Sequence, residues 1–445
     1  MYTSYIGLKF LKIYNEKKGT NYNAEDFFNE IIFPLFFNDD KHFLNVANSS
    51  FFQSVSQKLM EEGKSIHQIK LERFHKNVKE DGASLTTMVG YAAQGIMAGT
   101  SGQLTSMDYA IDENEMYASW IGVGLSISMG GGFSILLDKP EVIEVLFKGW
   151  QFYRDLLSQT PNLKGNQIDV WNSYWLSHAF SKNFDEDNPL DDFHIPDPVP
   201  CKSAKWKAMG LIEFEANKWS KVVFALSRKY PHETITANAF KFADMNVTLG
   251  FINFYLPQVV KFHELKEKIL IPKESIVLQE EEIESLTTYF SFKGACRMGT
   301  IGLKALEPDK LREYMPEPIG ENKEYKFTNE ESYKQYQLFK LWITAMINKT
   351  ELLESATKMA AILVEIENQQ VETGRGKTEV SQKSKEFLNV RNLKEFTDGL
   401  TEMLGEISEK EAIRNTLVEV LRMPLDLFPL FITLIKFEYN YLKKN

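Results

Sequence analysis

The sequence predicts an α+β fold: a mixed, helix-rich α/β body followed by a C-terminal all-helical bundle. Three observations carry this. Short apolar and β-branched runs bounded by glycine occur only in the central part of the chain. Apolar residues at helical spacing dominate the first 80 and the last 120 or so residues. A connector rich in proline and charge, Glu307 to Lys326, separates the body from the C-terminal helices. The expected organisation is a helical N-terminal region at 1–81, a mixed α/β body at 82–306 and a helical bundle at 327–445.

In the N-terminal region, Asn23 caps a helix running to Phe37, with Glu25 and Asp26 in its first turn and a broad apolar face. Pro34 is expected to end or kink it. A charged helix is expected from Ser54 to Lys79. Residues 82–115 are nearly uncharged and rich in Gly, Ala, Ser and Thr, a composition that suits either a buried small-residue layer or a loop against a partner.

The centre of the body is Met116 to Phe180. Ile121 to Ile127 alternates apolar and small residues and reads as one buried strand or two short ones. Gly130, Gly131 and Gly132 break any regular element. Pro140 opens a helix with Val142, Val145, Leu146, Trp150, Tyr153 and Leu157 at helical spacing. Asn162 to Gln167 makes a turn, and Trp171, Trp175 and Phe180 mark a further amphipathic segment. Residues 181–201 carry acids and four prolines, as an exposed linker or lid would. Thr234 to Leu256 reads as two strands about a turn at Asp244–Asn246, followed by a helix to about Lys268.

In the C-terminal part, Thr328 and Glu331 form an expected capping box before Tyr336, Phe339, Ile343 and Met346. A second helix carries Leu352, Ala356, Met359, Leu363 and Ile366. Residues 368–385 are a polar loop or frayed end, and Ser408 and Glu411 form another capping box. A last aromatic helix follows Pro424 and Pro429, so a four- or five-helix bundle is the simplest packing.

Charge and composition narrow the function. Lys and Arg number 51 against 61 Asp and Glu, a net charge of −10. That argues against a free-standing, non-specific nucleic-acid binder, which is normally basic, but not against one local basic patch. Two cysteines, Cys201 and Cys296, support neither a disulfide framework nor a zinc ribbon, and a reducing cytoplasm fits them. The first residues lack the features of a signal peptide, and no apolar run reaches the ~20 residues a membrane span needs, so no membrane role is expected.

Reactive motifs are scarce. Gly376-Lys377-Thr378 ends like a phosphate loop, but Val371 stands where the first glycine belongs. Gly122 and Gly124 begin a dinucleotide fingerprint that Ile127 breaks. The seven histidines show no metal-ligand spacing, and His194 beside Asp191 and Asp192 reads as a linker residue, so neither a metal nor a cofactor is expected. No catalytic residue is assigned, and the sequence does not argue for an enzyme. A metal-dependent nuclease would need clustered carboxylates; Asp197, Glu213 and Glu215 are the candidates, although Glu215 occupies the place where a lysine should follow Glu213.

Two features suit a polyanion. Lys202, Lys205, Lys207, Lys218, Lys221, Arg228 and Lys229 surround Trp206 and Trp219, as a phosphate-facing surface or a solvated face. Asn45, Asn48, Gln103, Asn166, Gln167 and Asn172 stand in turn-like breaks, where an amide can read a base edge or tie the turn to its own backbone. The candidate nucleic-acid-binding set is the first five of those amides with Lys205, Lys207, Lys218 and Lys221.

The order of these parts, with the segment ANAFKFADMNVTLGFINFYLP at Ala237–Pro257, resembles the large subunit of type I CRISPR surveillance (Cascade) complexes. The likeness rests on a strand–turn–strand with a central Asn and a closing Pro over some twenty residues, and on architecture elsewhere; the paired CxxC motifs of some of those subunits are absent. The resemblance implies a non-catalytic subunit of an antiviral ribonucleoprotein complex in the cytoplasm. Such a subunit reads a short DNA motif beside the target and works with guide RNA, target DNA and other protein subunits. A metal-dependent nuclease of a defence or restriction system and a protein–protein scaffold are the competing expectations.

Overall fold

The computed structural model describes residues 1–44, 49–56, 63–91, 111–241, 247–269, 278–372, 384, 386–403 and 410–444. The expected α+β class, with a small mixed sheet and a helical C-terminal region, is what the chain adopts. It divides into two compact units, residues 1–256 with 291–301 and residues 257–290 with 302–445.

The first unit is built on a close pair of helices, α1 (Tyr2–Lys18) and α4 (Glu113–Gly124). Two glycines set their separation. A Cβ on Gly7 would lie 1.9 Å from the Ala118 carbonyl oxygen, and one on Gly122 would lie 1.9 Å from that of Thr3. Backbones approach this closely only where side chains are missing. The expected strand at Ile121–Ile127 is therefore mostly helix, and only Ile127–Ser128 is extended as β1. Every residue from Met116 to Gly124 is buried, so no polar face remained to mark a 3.6-residue period.

Asn23 caps α2 (Ala24–Phe27), its side chain accepting from the Asp26 N–H at 2.8 Å. The helix then widens into a π-wound segment, Phe28–Phe37, whose end is marked by the Asn38 N–H bonding to the Phe33 carbonyl, a five-residue step. Pro34 lies inside this segment and does not end it. Wider winding moves the carbonyl four residues back away from the proline ring, the clash that breaks an α-helix. Phe28 and Phe37 join Phe51, Phe74, Tyr117 and Trp120 in an aromatic core, with Phe37 and Phe51 stacked at 4.2 Å. The next described helix, α3 (Ile66–Asp81), begins at a capping box of Ser65 and Gln68, after the expected start at Ser54; residues 57–62 lie outside those described.

β1 and β2 (Ser134–Leu137) form a hairpin across Gly130, Gly131 and Gly132, all three at positive φ. The sheet order is β1-β2-β5-β6-β7, with β5 (Thr234–Lys241), β6 (Val247–Tyr255) and, after the short helix α11 (Phe292–Cys296), β7 (Thr300–Ile301). Pairing is antiparallel except between β6 and β7. The expected turn at Asp244–Asn246 lies outside the described residues. Helices α5 (Pro140–Gln159) and α6 (Ile168–Ala179) follow, tied by indole bonds from Trp171 to the Gly149 carbonyl at 3.0 Å and from Trp175 to the Val145 carbonyl at 2.8 Å.

In the second unit the described C-terminal helices include α12 (Glu330–Ile347), α13 (Thr350–Glu372), α14 (Leu393–Met403), α15 (Lys410–Leu421) and α16 (Phe428–Lys444). α12 is capped by Asn329 with Ser332, one residue later than the expected Thr328 box, because the Asn329 amide reaches the Ser332 N–H at 3.0 Å. Ser408 and the near-phosphate-loop Gly374–Thr378 lie outside the described residues. Pro429 sits in the first turn of α16, where a missing N–H costs nothing. Glu438, buried on α16, accepts from Tyr336 and pairs with Lys340, both at 2.8 Å. No helix among the described residues is long and apolar enough to cross a membrane.

Candidate functional site

The lysine-rich segment forms one protruding excursion of the first unit. Its base is the two-rung antiparallel ladder of β3 (Val199–Pro200) and β4 (Ile212–Glu213), pairing Val199 with Glu213 and Pro200 with Ile212. Between them stand a single helical turn, α7 (Ala204–Ala208), and a reversal at Met209–Gly210, where Gly210 takes φ 72°. The reversal needs glycine for that left-handed conformation.

Anchoring comes from the turn before α6. The Ile212 N–H donates to the Asn162 carbonyl at 3.0 Å and the Lys164 N–H to the Ile212 carbonyl at 2.9 Å. The Lys164 ammonium sits 3.9 Å from the centroid of the Trp206 ring and 3.1 Å from the Glu213 carboxylate. Trp206 thus fastens α7 to the base through a cation–π contact that is half shielded from water. Burial alone would raise the Glu213 carboxyl, but the Lys202 N–H at 2.9 Å and Lys164 outweigh it and hold it below its ordinary value.

Positive charge crowns this scaffold. Lys202, Lys205 and Lys207 are exposed. Lys205 and Lys207 are two positions apart on one turn, so they splay to opposite sides of α7. Met209, at the tip, is 65% exposed. The chain then enters α8 (Trp219–Lys229) with Lys218 as N-cap and Lys221 in the first turn, and that turn contains no acid. This reverses the usual arrangement, since the positive end of a helix dipole favours anions. Burial and then the neighbouring Lys221 push the Lys218 ammonium below its ordinary value.

The amides fare differently. Asn45, Asn48 and Gln103 lie outside the described residues. Asn166 is half-buried. Gln167 is buried, and both ends of its amide are used: Nε2 donates to the Phe214 carbonyl at 2.9 Å and Oε1 accepts from the Phe214 N–H at 3.0 Å. It closes the base of the excursion from the inside. Asn172, expected in a turn-like break but held within α6, and Asn217, not singled out from the sequence, do similar work. Asn172 donates to the Gly124 and Ser126 carbonyls, both at 2.8 Å, and Asn217 donates to the Ser173 carbonyl and the Ser177 hydroxyl, both at 3.3 Å.

The three carboxylates considered for a nuclease are not gathered into a cation-holding group. Asp197 and Glu215 are exposed, and Glu213 is engaged by Lys164 and Lys202. Among the described residues one set of three metal-ligating side chains does converge, in the second unit: His263 on α9 (Leu256–Ile269) with Glu280 and Glu284 on α10 (Glu280–Glu284). Sequence reading missed it because His263 stands seventeen residues before Glu280; the visible signal was only the i,i+4 spacing of the two acids. Compared with known proteins, the chain matches no family model, no curated protein and no solved structure.

Proposed function

We propose that the chain is a nucleic-acid-recognition subunit of an antiviral, CRISPR-type ribonucleoprotein complex, acting by binding rather than by catalysis on its own. The observation that supports this reading is the exposed lysine excursion running into an acid-free helix N-terminus. Lys202, Lys205 and Lys207 project from α7 and its approach, and Lys218 with Lys221 concentrates positive charge at the end of α8 that already attracts anions. A phosphate there relieves the mutual repulsion of the two lysines and meets the helix dipole at once. Met209 at the tip has the shape and polarity of a side chain that wedges between bases. The acidic remainder of the chain leaves this lysine-rich stretch as the place for such a contact, as suits a subunit whose partners supply further charge.

The test is the salt dependence of binding to a short mixed-sequence DNA duplex by fluorescence anisotropy. Lys205→Glu, Lys207→Glu, Lys218→Glu and Lys221→Glu together should flatten the slope of log affinity against log salt by up to about 3 to 4, since each phosphate contact contributes roughly 0.9. Equal affinity and slope in wild type and variant would remove the reading.

A further inference from the structure

The second unit holds a cluster that the nucleic-acid reading does not use. α10 carries Glu280, Glu281, Glu282 and Glu284, and these acids part into two directions. Glu282 turns to Lys334 at 2.9 Å and accepts from the Gln279 N–H at 2.7 Å, closing its own capping box. Glu280 and Glu284, one helical turn apart, project together towards His263 on α9. The two imidazole nitrogens face different carboxylates: Nδ1 lies 3.8 Å from Glu280 and Nε2 lies 3.8 Å from Glu284.

The spacing matches donors arranged about a point. One donor atom from each residue lies within 4.8 Å of the others. Bonds of about 2.0–2.2 Å from a central ion to imidazole nitrogen and carboxylate oxygen place neighbouring donors roughly 3.0–3.6 Å apart. Small rotations of the two glutamates reach that range. The surroundings are partly withdrawn from water, with His263 and Glu284 at 17% and 15% side-chain exposure and Glu280, at 34%, forming the open edge. A dication seated among the three donors would sit close to both carboxylates, where their attraction for it is strongest.

We propose that His263, Glu280 and Glu284 form a binding site for one divalent first-row transition cation of the zinc or manganese type. The imidazole sets the selectivity, because magnesium and calcium prefer all-oxygen shells. Three protein donors leave at least one coordination position open on the Glu280 side, where water or an exchangeable ligand would complete the shell. The site is independent of the lysine excursion, which belongs to the other unit.

Full-length protein stripped with a chelator and titrated calorimetrically with Zn²⁺ should bind one ion per chain, with Mg²⁺ bound at least about 10-fold more weakly. Replacing a supporting residue around a metal typically weakens affinity by about 10–100-fold, so Glu284→Gln or His263→Gln should cost about 100-fold or more. Glu280→Gln, at the exposed edge, gives a variant whose folding is least at risk. A measurement on wild type alone stands beside these: Co²⁺ should give ligand-field bands without a thiolate charge-transfer band, which separates this site from Cys201 and Cys296. Unchanged Zn²⁺ affinity in Glu280→Gln and Glu284→Gln, a thiolate band, or no binding to wild type would each overturn the assignment.

Discussion

Gln167→Ala is the sharpest test of how the lysine excursion is held. The wild-type amide satisfies both the N–H and the carbonyl of Phe214, and both residues are buried. Removing it leaves two backbone groups without partners where water does not reach. Each such loss costs about 1–3 kcal/mol, so the variant should lose about 2–6 kcal/mol of stability. Urea unfolding followed by tryptophan fluorescence measures the total. Hydrogen exchange at the Phe214 amide should accelerate before the rest of the unit opens. Gln167→Glu should destabilise similarly at neutral pH, since its carboxylate still accepts from the N–H but faces the carbonyl with a second acceptor. A loss under ~0.5 kcal/mol would refute the anchoring role. A fully stable Gln167→Ala that failed to bind DNA would instead return this amide to base reading.

Two further predictions probe other parts of the fold. Gly122→Ala puts a methyl group 1.9 Å from the Thr3 carbonyl oxygen, a backbone atom that cannot rotate aside, and should cost at least about 3 kcal/mol or leave the protein insoluble; normal thermal unfolding of that variant would show that α1 and α4 are further apart than described. Lys436 is buried on α16, and burial pushes its ammonium from 10.5 down to about 8. The folded state therefore releases this proton before the unfolded chain does, so stability should rise as pH climbs from about 8 towards 10.5. The charged form costs about 3 kcal/mol at neutral pH, and Lys436→Met should recover much of it and flatten the pH profile, as read by urea midpoints at pH 7 and pH 10.

Much of the fold was legible in the residues themselves. Pro140 starts α5, and Val142, Leu146, Trp150, Tyr153 and Leu157 are buried along it. The β5–β6 pair follows the alternation of Ile235, Ala237 and Ala239 against Ile252 and Phe254. Periodicity failed where burial is complete, as in α4, since a helix enclosed on all sides has no polar stripe to time it. The π-winding at Phe28–Phe37 is a response to Pro34 that apolar spacing does not encode. Within the site, the lysines were legible because charge clusters in sequence. Gln167 met Phe214 across 47 residues, and His263 met Glu280 across a second helix; tertiary packing alone makes those pairings.

The route of the chain through its two units carries a consequence for synthesis. β7 completes the edge of the first unit's sheet by lying parallel to β6, yet it is made only after residues 257–290, which belong to the second. On the ribosome, the early unit must wait with an uncovered strand until Ile301 has emerged. No single cut of the chain releases both units whole, so a protease or a truncation that spares one necessarily takes something from the other.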